Sequence, residues 1–433
     1  MSAIEVSTPG PQGPAGPAGP AGADGANGTN GANGTNGAQG PQGIPGQGAR
    51  WVAGTSHLGF VATRGKVMSQ TEPANKYFNS RTVMEATENL TSIAVVAANF
   101  WVSATVGQGE QPVGNPATVK HAIEYPLGGA LFPVTWNGGA ASAVLQDFSW
   151  GQSDFVSVNI PAGAQFAVRE YRQVPLGGII FSGGNNGSSN ININTTSGDC
   201  FEFSTSVLTD RTTTSGSYAN TAGNYFYRPL GVVGMTTRRS YVGIGDSRFE
   251  GYMDNYSTQL YNGEFERAIQ KKYGWSNLSK GGESIAQVTA NNAFSLRAAI
   301  CRRYATDAVC NYGVNDLLIT NSYQTILTQQ QQLRAALSSL NFYQTTIETE
   351  VSDGATNSTP STNMTTPRYY INNALRSGVF TGSGMFDGVF DVTGVTESGL
   401  NTGLWHAGWT TDGYHLNPTG YAALQAANAI NIA

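Results

Sequence analysis

The sequence predicts a multidomain chain: a collagen-like triple-helical stalk, a β-sandwich or jelly-roll middle domain, and an α/β domain of three layers around a parallel sheet. Three observations lead there. Glycine recurs at every third position from Gly10 to Gly46. Short runs of β-branched and aromatic residues, separated by turn signals, fill residues 49–228. From 229 to 433, strand-like runs alternate with stretches of helical period.

Thirteen glycines hold the phase from Gly10 to Gly46 before Gly48 breaks it, with Pro11, Pro14, Pro17, Pro20, Pro41 and Pro45 between them. A linker has no reason to keep phase, whereas three chains wound together admit only glycine at their axis. Residues 10–48 are therefore expected to form a stalk on the order of 110 Å long at roughly 3 Å per residue, which implies a homotrimer. Residues 1–9 read as an attachment segment. Between Ala23 and Gln39 the triplets lack proline, which makes that stretch the least stable of the stalk.

The middle region carries Ser92–Val96, Asn99–Val102, Phe155–Ile160 and Phe166–Tyr171 as strand candidates, with turns at Asn137-Gly138-Gly139 and Pro161-Ala162-Gly163. A Gly/Asn/Ser stretch, Gly183 to Ser189, reads as a surface loop. In the last region Tyr241–Ile244, Ala308–Cys310 and Thr345–Val351 read as strands. Glu283–Arg303 reads as a helix, and so does a Gln-rich stretch carrying Leu333, Leu337 and Leu340.

Charged residues make up 12% of the chain, about half the usual share. A net charge of −5 without a Lys/Arg stripe gives no footing for nucleic acid. No run approaches the roughly 18 apolar residues of a membrane span, and no basic flank with an apolar run marks an export signal. Three cysteines, Cys200, Cys301 and Cys310, make neither a disulfide framework nor a metal pair. No His/Asp/Glu spacing suggests a metal, and no cofactor is expected.

Four short motifs fall where a parallel sheet offers its strand ends to a ligand. Gly245-Asp246-Ser247 follows the first strand of the α/β region. A serine there needs a base, and Asp412-Gly413-Tyr414-His415 supplies an imidazole three positions after a carboxylate. Acyl transfer also needs donors for the developing oxyanion. The Gly281-Gly282 pair offers a backbone N–H, with Gly282 the preferred donor of the two. Gly313-Val314-Asn315-Asp316 offers the Asn315 amide, and the Ser247 N–H is the third candidate.

In this order the four motifs resemble the signature blocks of the SGNH (GDSL-type) hydrolases, as does the tail His415-Leu416-Asn417-Pro418-Thr419-Gly420-Tyr421. The resemblance spans about 190 residues and leaves out the stalk. It implies Ser247 as nucleophile, His415 as base, Asp412 as its orienter, and Gly282 and Asn315 as oxyanion donors. Arg248 departs from the family, which usually has Leu or Ile after the serine. It either contacts a polar substrate or pairs with a carboxylate such as Glu250, the pairing being slightly favoured. His406, beside Trp405, either lines the pocket or packs on the surface.

A stalk, a β-rich module and an esterase-like head together resemble a bacteriophage fibre or receptor-binding protein. That implies a trimer joined to the virion by its N-terminus and released by host lysis, removing O-acetyl groups from host surface polysaccharide. The alternative is a non-catalytic adhesin or structural appendage that keeps the fold to bind glycan.

Overall fold

The computed structural model describes residues 50–432, apart from 69, 73, 104, 106–107, 183–193, 222–226, 256–258, 291–292, 320–321 and 383–384. The attachment segment, the Gly-x-y repeat and the loop expected at Gly183–Ser189 lie outside the described residues. The chain divides into two units, 1–42 and 43–433, and every described residue belongs to the second.

Two antiparallel sheets build the middle region. The first runs in the order His57–Phe60, Gly231–Thr236, Leu90–Ser103, Ser149–Gln152, with Val156–Ile160 and Gly109–Pro112 also paired to Leu90–Ser103. The second runs Cys200–Ser204, Tyr77–Glu85, Gln165–Gln173, Ala117–Glu124, Leu131–Val134, with Ala143–Leu145 on Ala117–Glu124. Their facing side chains, among them Ile93, Val95, Met84, Phe166 and Val168, share one core, which makes the pair a sandwich.

The two expected runs around Ser92–Val102 are one 14-residue strand, Leu90–Ser103. Its alternation explains the continuous apolar stretch. Ile93 and Val95 face the sandwich core, while Ala94, Val96, Ala98, Phe100 and Val102 face a second core shared with Val242, Ile244 and Ile300. A strand buried on both faces has no polar side to show.

The α/β region is built on β1 (Ser240–Ile244), β2 (Gly274–Asn277), β3 (Asp307–Cys310), β4 (Asn341–Thr345) and β5 (Gly388–Phe390). All pair in parallel, in the order β2-β1-β3-β4-β5. Its helices are α1 (Ser247–Glu250), α2 (Gly263–Ile269), α3 (Ile285–Thr289), α4 (Ser295–Tyr304), α5 (Val314–Ile319), α6 (Tyr323–Ala336), α7 (Thr366–Arg376), α8 (Val379–Gly382), α9 (Thr393–Thr396) and α10 (Pro418–Ala426). Val242, Ile244, Ala308 and Cys310 point to the face covered by α3, α4, α6 and α7. Tyr241 and Val309 point to the other, with Phe249, Phe265, Ile269 and Leu424 of α1, α2 and α10. Helices on both faces of a parallel sheet make the three layers.

Three boundaries differ from the sequence expectation. The division at 228/229 does not hold: Gly231–Thr236 belongs to the sandwich, and Gly65–Lys66 pairs in parallel with β2 as a sixth strand. The two regions exchange strands, one interior to the sandwich sheet and one at the edge of the parallel sheet, and local composition does not register such an exchange. The helix expected at 283–303 is two, α3 and α4. A capping box of Ser284 and Gln287 starts α3, and Ala290 is extended at its end. Glu110 of the sandwich then accepts the Leu296 and Arg297 N–H groups (2.8 and 2.7 Å) and starts α4 afresh. No strand forms over 346–351 where one was expected: β4 ends at Thr345, the single residue it shares with the expected 345–351. The chain runs on past the sheet because Asn372 of α7 takes the Ile347 N–H (2.7 Å) and donates to its carbonyl (2.8 Å), as a neighbouring strand would.

Candidate active site

In the order β2-β1-β3 the chain leaves β1 toward one side of the sheet and returns on the other. The carboxyl ends of β1 and β3 therefore diverge into a crevice, where doubly wound sheets bind ligands. Gly245-Asp246-Ser247 leaves β1 there, and Asn311 to Asn315 leave β3 beside it. The two turns are clasped reciprocally. Asn311 Oδ1 accepts the Asp246 N–H at 3.0 Å, and Asn311 Nδ2 donates to Asp246 Oδ1 at 3.2 Å. Residue 245 must be glycine, since a Cβ would lie 1.8 Å from Asn311 Oδ1. Asp246 is fully buried and caps α1 by accepting the Arg248 N–H at 3.0 Å. Burial raises its carboxyl above the usual range, against the pull of Arg248.

Ser247 thus opens α1, and its hydroxyl meets His415. Oγ and Nε2 are 2.7 Å apart, and His415 Nδ1 is 2.7 Å from Asp412 Oδ2. A carboxylate only accepts, so the imidazole proton sits on Nδ1 and leaves Nε2 free to take the serine's. Asp412 Oδ1 accepts the N–H groups of Tyr414 and His415 at 2.8 and 2.9 Å, which fixes the carboxylate to the loop it serves. Partial burial opposes its charge, but the hydrogen bond and charge of His415, with the two backbone donors, outweigh it and hold Asp412 at about 2.

Ser247, Gly282 and Asn315 line one cleft of about 220 Å³ with His415. Among the described residues nothing accepts the N–H of Ser247 or Gly282. Asn315 Nδ2 spends one proton on the Glu283 carbonyl at 2.9 Å and keeps the other. The Gly281 N–H is engaged by Glu250 Oε2 at 2.6 Å, so of the two glycines it is Gly282 whose N–H has no acceptor among the described residues. Asp316 accepts the Ile285 and Ala286 N–H groups at 2.9 and 3.0 Å and so ties the Asn315 turn to the start of α3. Burial lifts its carboxyl to about 6, although these two N–H groups favour the charge.

Arg248 lines the cleft and takes the carboxylate pairing that the sequence favours, with a different partner, and His406 takes the packed alternative. The buried Arg248 guanidinium bonds the carbonyls of Tyr414 and Thr349 and pairs with Glu348, not Glu250. His406 packs its ring on Trp409 at 4.5 Å and is not among the residues lining the cleft.

Sequence reasoning misses Glu250, Tyr252, Lys280, Glu350 and Tyr414, all of which line the cleft. The Tyr252 ring lies 4.4 Å and the Tyr414 ring 6.4 Å from that of His415. Adjacency to Ser247 and His415 is the one signal that could have flagged Glu250 and Tyr414. Glu350 has none, because it arrives from beyond β4. Among the described residues no group of His, Cys, Asp and Glu is arranged to hold a metal.

No protein-family profile matches the chain, and no curated protein does. Solved structures similar to it include a lipase/acylhydrolase from Enterococcus faecalis, at 18% identity and TM-score 0.33 over 45% of this chain and 95% of that one. A member of the lipolytic G-D-S-L family from Veillonella parvula matches at 14% identity and TM-score 0.30, over 44% and 96%. A family two carbohydrate esterase from Clostridium thermocellum, solved as an active-site mutant in complex with celluohexase, matches at 9% and TM-score 0.34, over 87% and 98%. Likeness at this level assigns no activity. The chemistry rests on the distances around Ser247.

Proposed function

We propose that this chain is a serine esterase removing small O-acyl groups, acetyl first among them, from host surface polysaccharide, borne as the head of a homotrimeric phage fibre. The observation that carries the esterase is the continuous relay from Ser247 Oγ through His415 to Asp412, two contacts of 2.7 Å. His415 Nε2 takes the hydroxyl proton as Oγ attacks the ester carbonyl. The N–H groups of Ser247 and Gly282 and the Asn315 amide receive the developing oxyanion. As the tetrahedral intermediate collapses, His415 returns the proton to the departing alcohol. Water then repeats the cycle on the acyl-enzyme, and Asp412 stays charged throughout.

A cleft of about 220 Å³ suits a short acyl group. Its remaining lining, with Glu250, Lys280, Glu350, Tyr252 and Tyr414, offers polar groups to an alcohol rich in hydroxyls. The fibre, the trimer and the virion are drawn from the Gly-x-y repeat and the sparsely charged composition. The full chain is expected to release acetate from p-nitrophenyl acetate and from O-acetylated polysaccharide. Ser247→Ala should lower both by several orders of magnitude without changing the melting temperature. Wild-type turnover by that variant would end the assignment.

A further inference from the structure

Arg248 follows the nucleophile directly, yet only 3% of it is exposed. Its Nε and Nη2 donate to the Tyr414 carbonyl at 3.2 and 2.8 Å, and Nη2 also reaches the Thr349 carbonyl at 2.7 Å. Nε lies 3.3 Å from Glu348 Oε2, and the guanidinium sits over the Trp405 ring at 5.4 Å. Tyr414 directly precedes the base. A side chain rooted one residue after Ser247 therefore grips the carbonyl one residue before His415.

The loop that carries His415 needs such a grip. Between β5 and α10 its regular pairing amounts to isolated bridges such as Thr410 to Leu416. The Gly413 carbonyl is held by the Val351 N–H and the Trp405 indole, both at 3.0 Å. The Tyr414 carbonyl is held by Arg248. Of these tethers, the arginine alone starts from the nucleophile's own turn. A planar guanidinium suits the task, because it presents several donors in fixed directions while remaining charged beside Glu348.

We infer that Arg248 is a positioning residue: it fixes the distance between Ser247 and His415 by clamping the Tyr414 carbonyl to the nucleophile turn. The inference rests on the hydrolase reading. A clamp of this kind acts on the reacting geometry and not on substrate affinity, so its loss falls on kcat. Displacing a reacting group by an ångström is enough to cost about a hundredfold.

The test compares the full-length wild type with Arg248→Lys, which keeps the charge and loses the fork. The measurements are kcat and KM on p-nitrophenyl acetate, and the rate at which a fluorophosphonate labels Ser247. Labelling needs the activated serine but not the substrate's binding contacts. The expected result is a kcat lower by about a hundredfold, a labelling rate lower in parallel, and KM within about twofold. Wild-type kcat and labelling in the lysine variant would overturn the inference. So would a raised KM with unchanged labelling, which would make Arg248 a substrate contact. Should the lysine variant not fold, Arg248→Met combined with Glu348→Gln removes both charges together. That protein, folded and labelling at the wild-type rate, would equally overturn it. Failure of the hydrolase reading looks different: the wild type itself would take no label at Ser247, and both readings would go.

Discussion

Asp412→Asn tests the relay at the point where structure gives two independent magnitudes. The Asp412 Oδ1 atom accepts two backbone N–H groups and Oδ2 accepts the imidazole proton. An asparagine whose oxygen keeps the backbone contacts turns its amide N–H₂ toward His415 Nδ1. A donor there reverses the tautomer, so Nε2 carries the proton and can no longer receive the serine's. With the geometry otherwise intact, loss of the tautomer lowers kcat by about 10⁴, or about 5.5 kcal/mol of barrier. KM on p-nitrophenyl acetate should hardly move.

The second magnitude is stability. Asp412 lies at about 2 against a usual 3.8, and a shift of that size stabilises the folded state by about 2 kcal/mol where the carboxylate is charged. Because the folded value is the depressed one, the stabilisation is complete above the unfolded value near 4 and is lost as pH falls through about 2. Asparagine lacks it at every pH. Thermal melts should therefore show the variant a few degrees below wild type near neutrality, with the gap closing from about pH 5 toward about pH 2. Turnover within tenfold of wild type, or a gap that does not change with pH, would refute the reasoning.

The oxyanion donors and the repeat are open to equally direct tests. Asn315→Ala should lower kcat by roughly 10²–10³ with little change in KM, since its free N–H serves mainly the transition state; a change confined to KM would instead make Asn315 a substrate contact. If the Gly-x-y repeat winds three chains together, the full-length protein is a trimer in light scattering with a collagen-type circular dichroism signal, and Gly28→Ala lowers the stalk's melting step while esterase activity stays constant; a monomer, or an unaltered transition, would leave the repeat a linker.

Much of the α/β fold could be read from the chain because its signals are local. Tyr241–Ile244 and Ala308–Cys310 are short apolar runs bounded by turns, and the structure places them at β1 and β3 within a residue. The failures share one cause, which is hydrogen bonding supplied from far along the chain. Glu110 starts α4 from 186 residues away, so no pattern within 283–303 marks the break. Asn372 satisfies Ile347 in place of a strand, so the alternation through Val351 imitates one. Lys66, on the strand added to β2, donates to the Glu250 carbonyl at 2.9 Å. The region before residue 229 thereby reaches the end of the nucleophile helix through a strand of the parallel sheet, and the expected domain boundary cut through that contact.

The site divides along the same line. Residues that carry the chemistry lie in motifs because each depends on its immediate turn: Ser247 on a capped helix start, His415 on a carboxylate three positions before it. Residues that hold those turns in place are scattered, since fixing one loop requires a group from another. Glu250 takes the Gly281 N–H and leaves that of Gly282, which lines the cleft, without an acceptor among the described residues, while Asp316 pins the Asn315 turn to α3. Each is a buried carboxylate answering backbone donors, and such a pairing is worth most where water is excluded. An oxyanion site made of backbone N–H groups is only as exact as the turns that present them. Under the proposed function these glutamate and aspartate side chains hold the site's turns as the proposed triad requires, although no spacing in the sequence connects them to it.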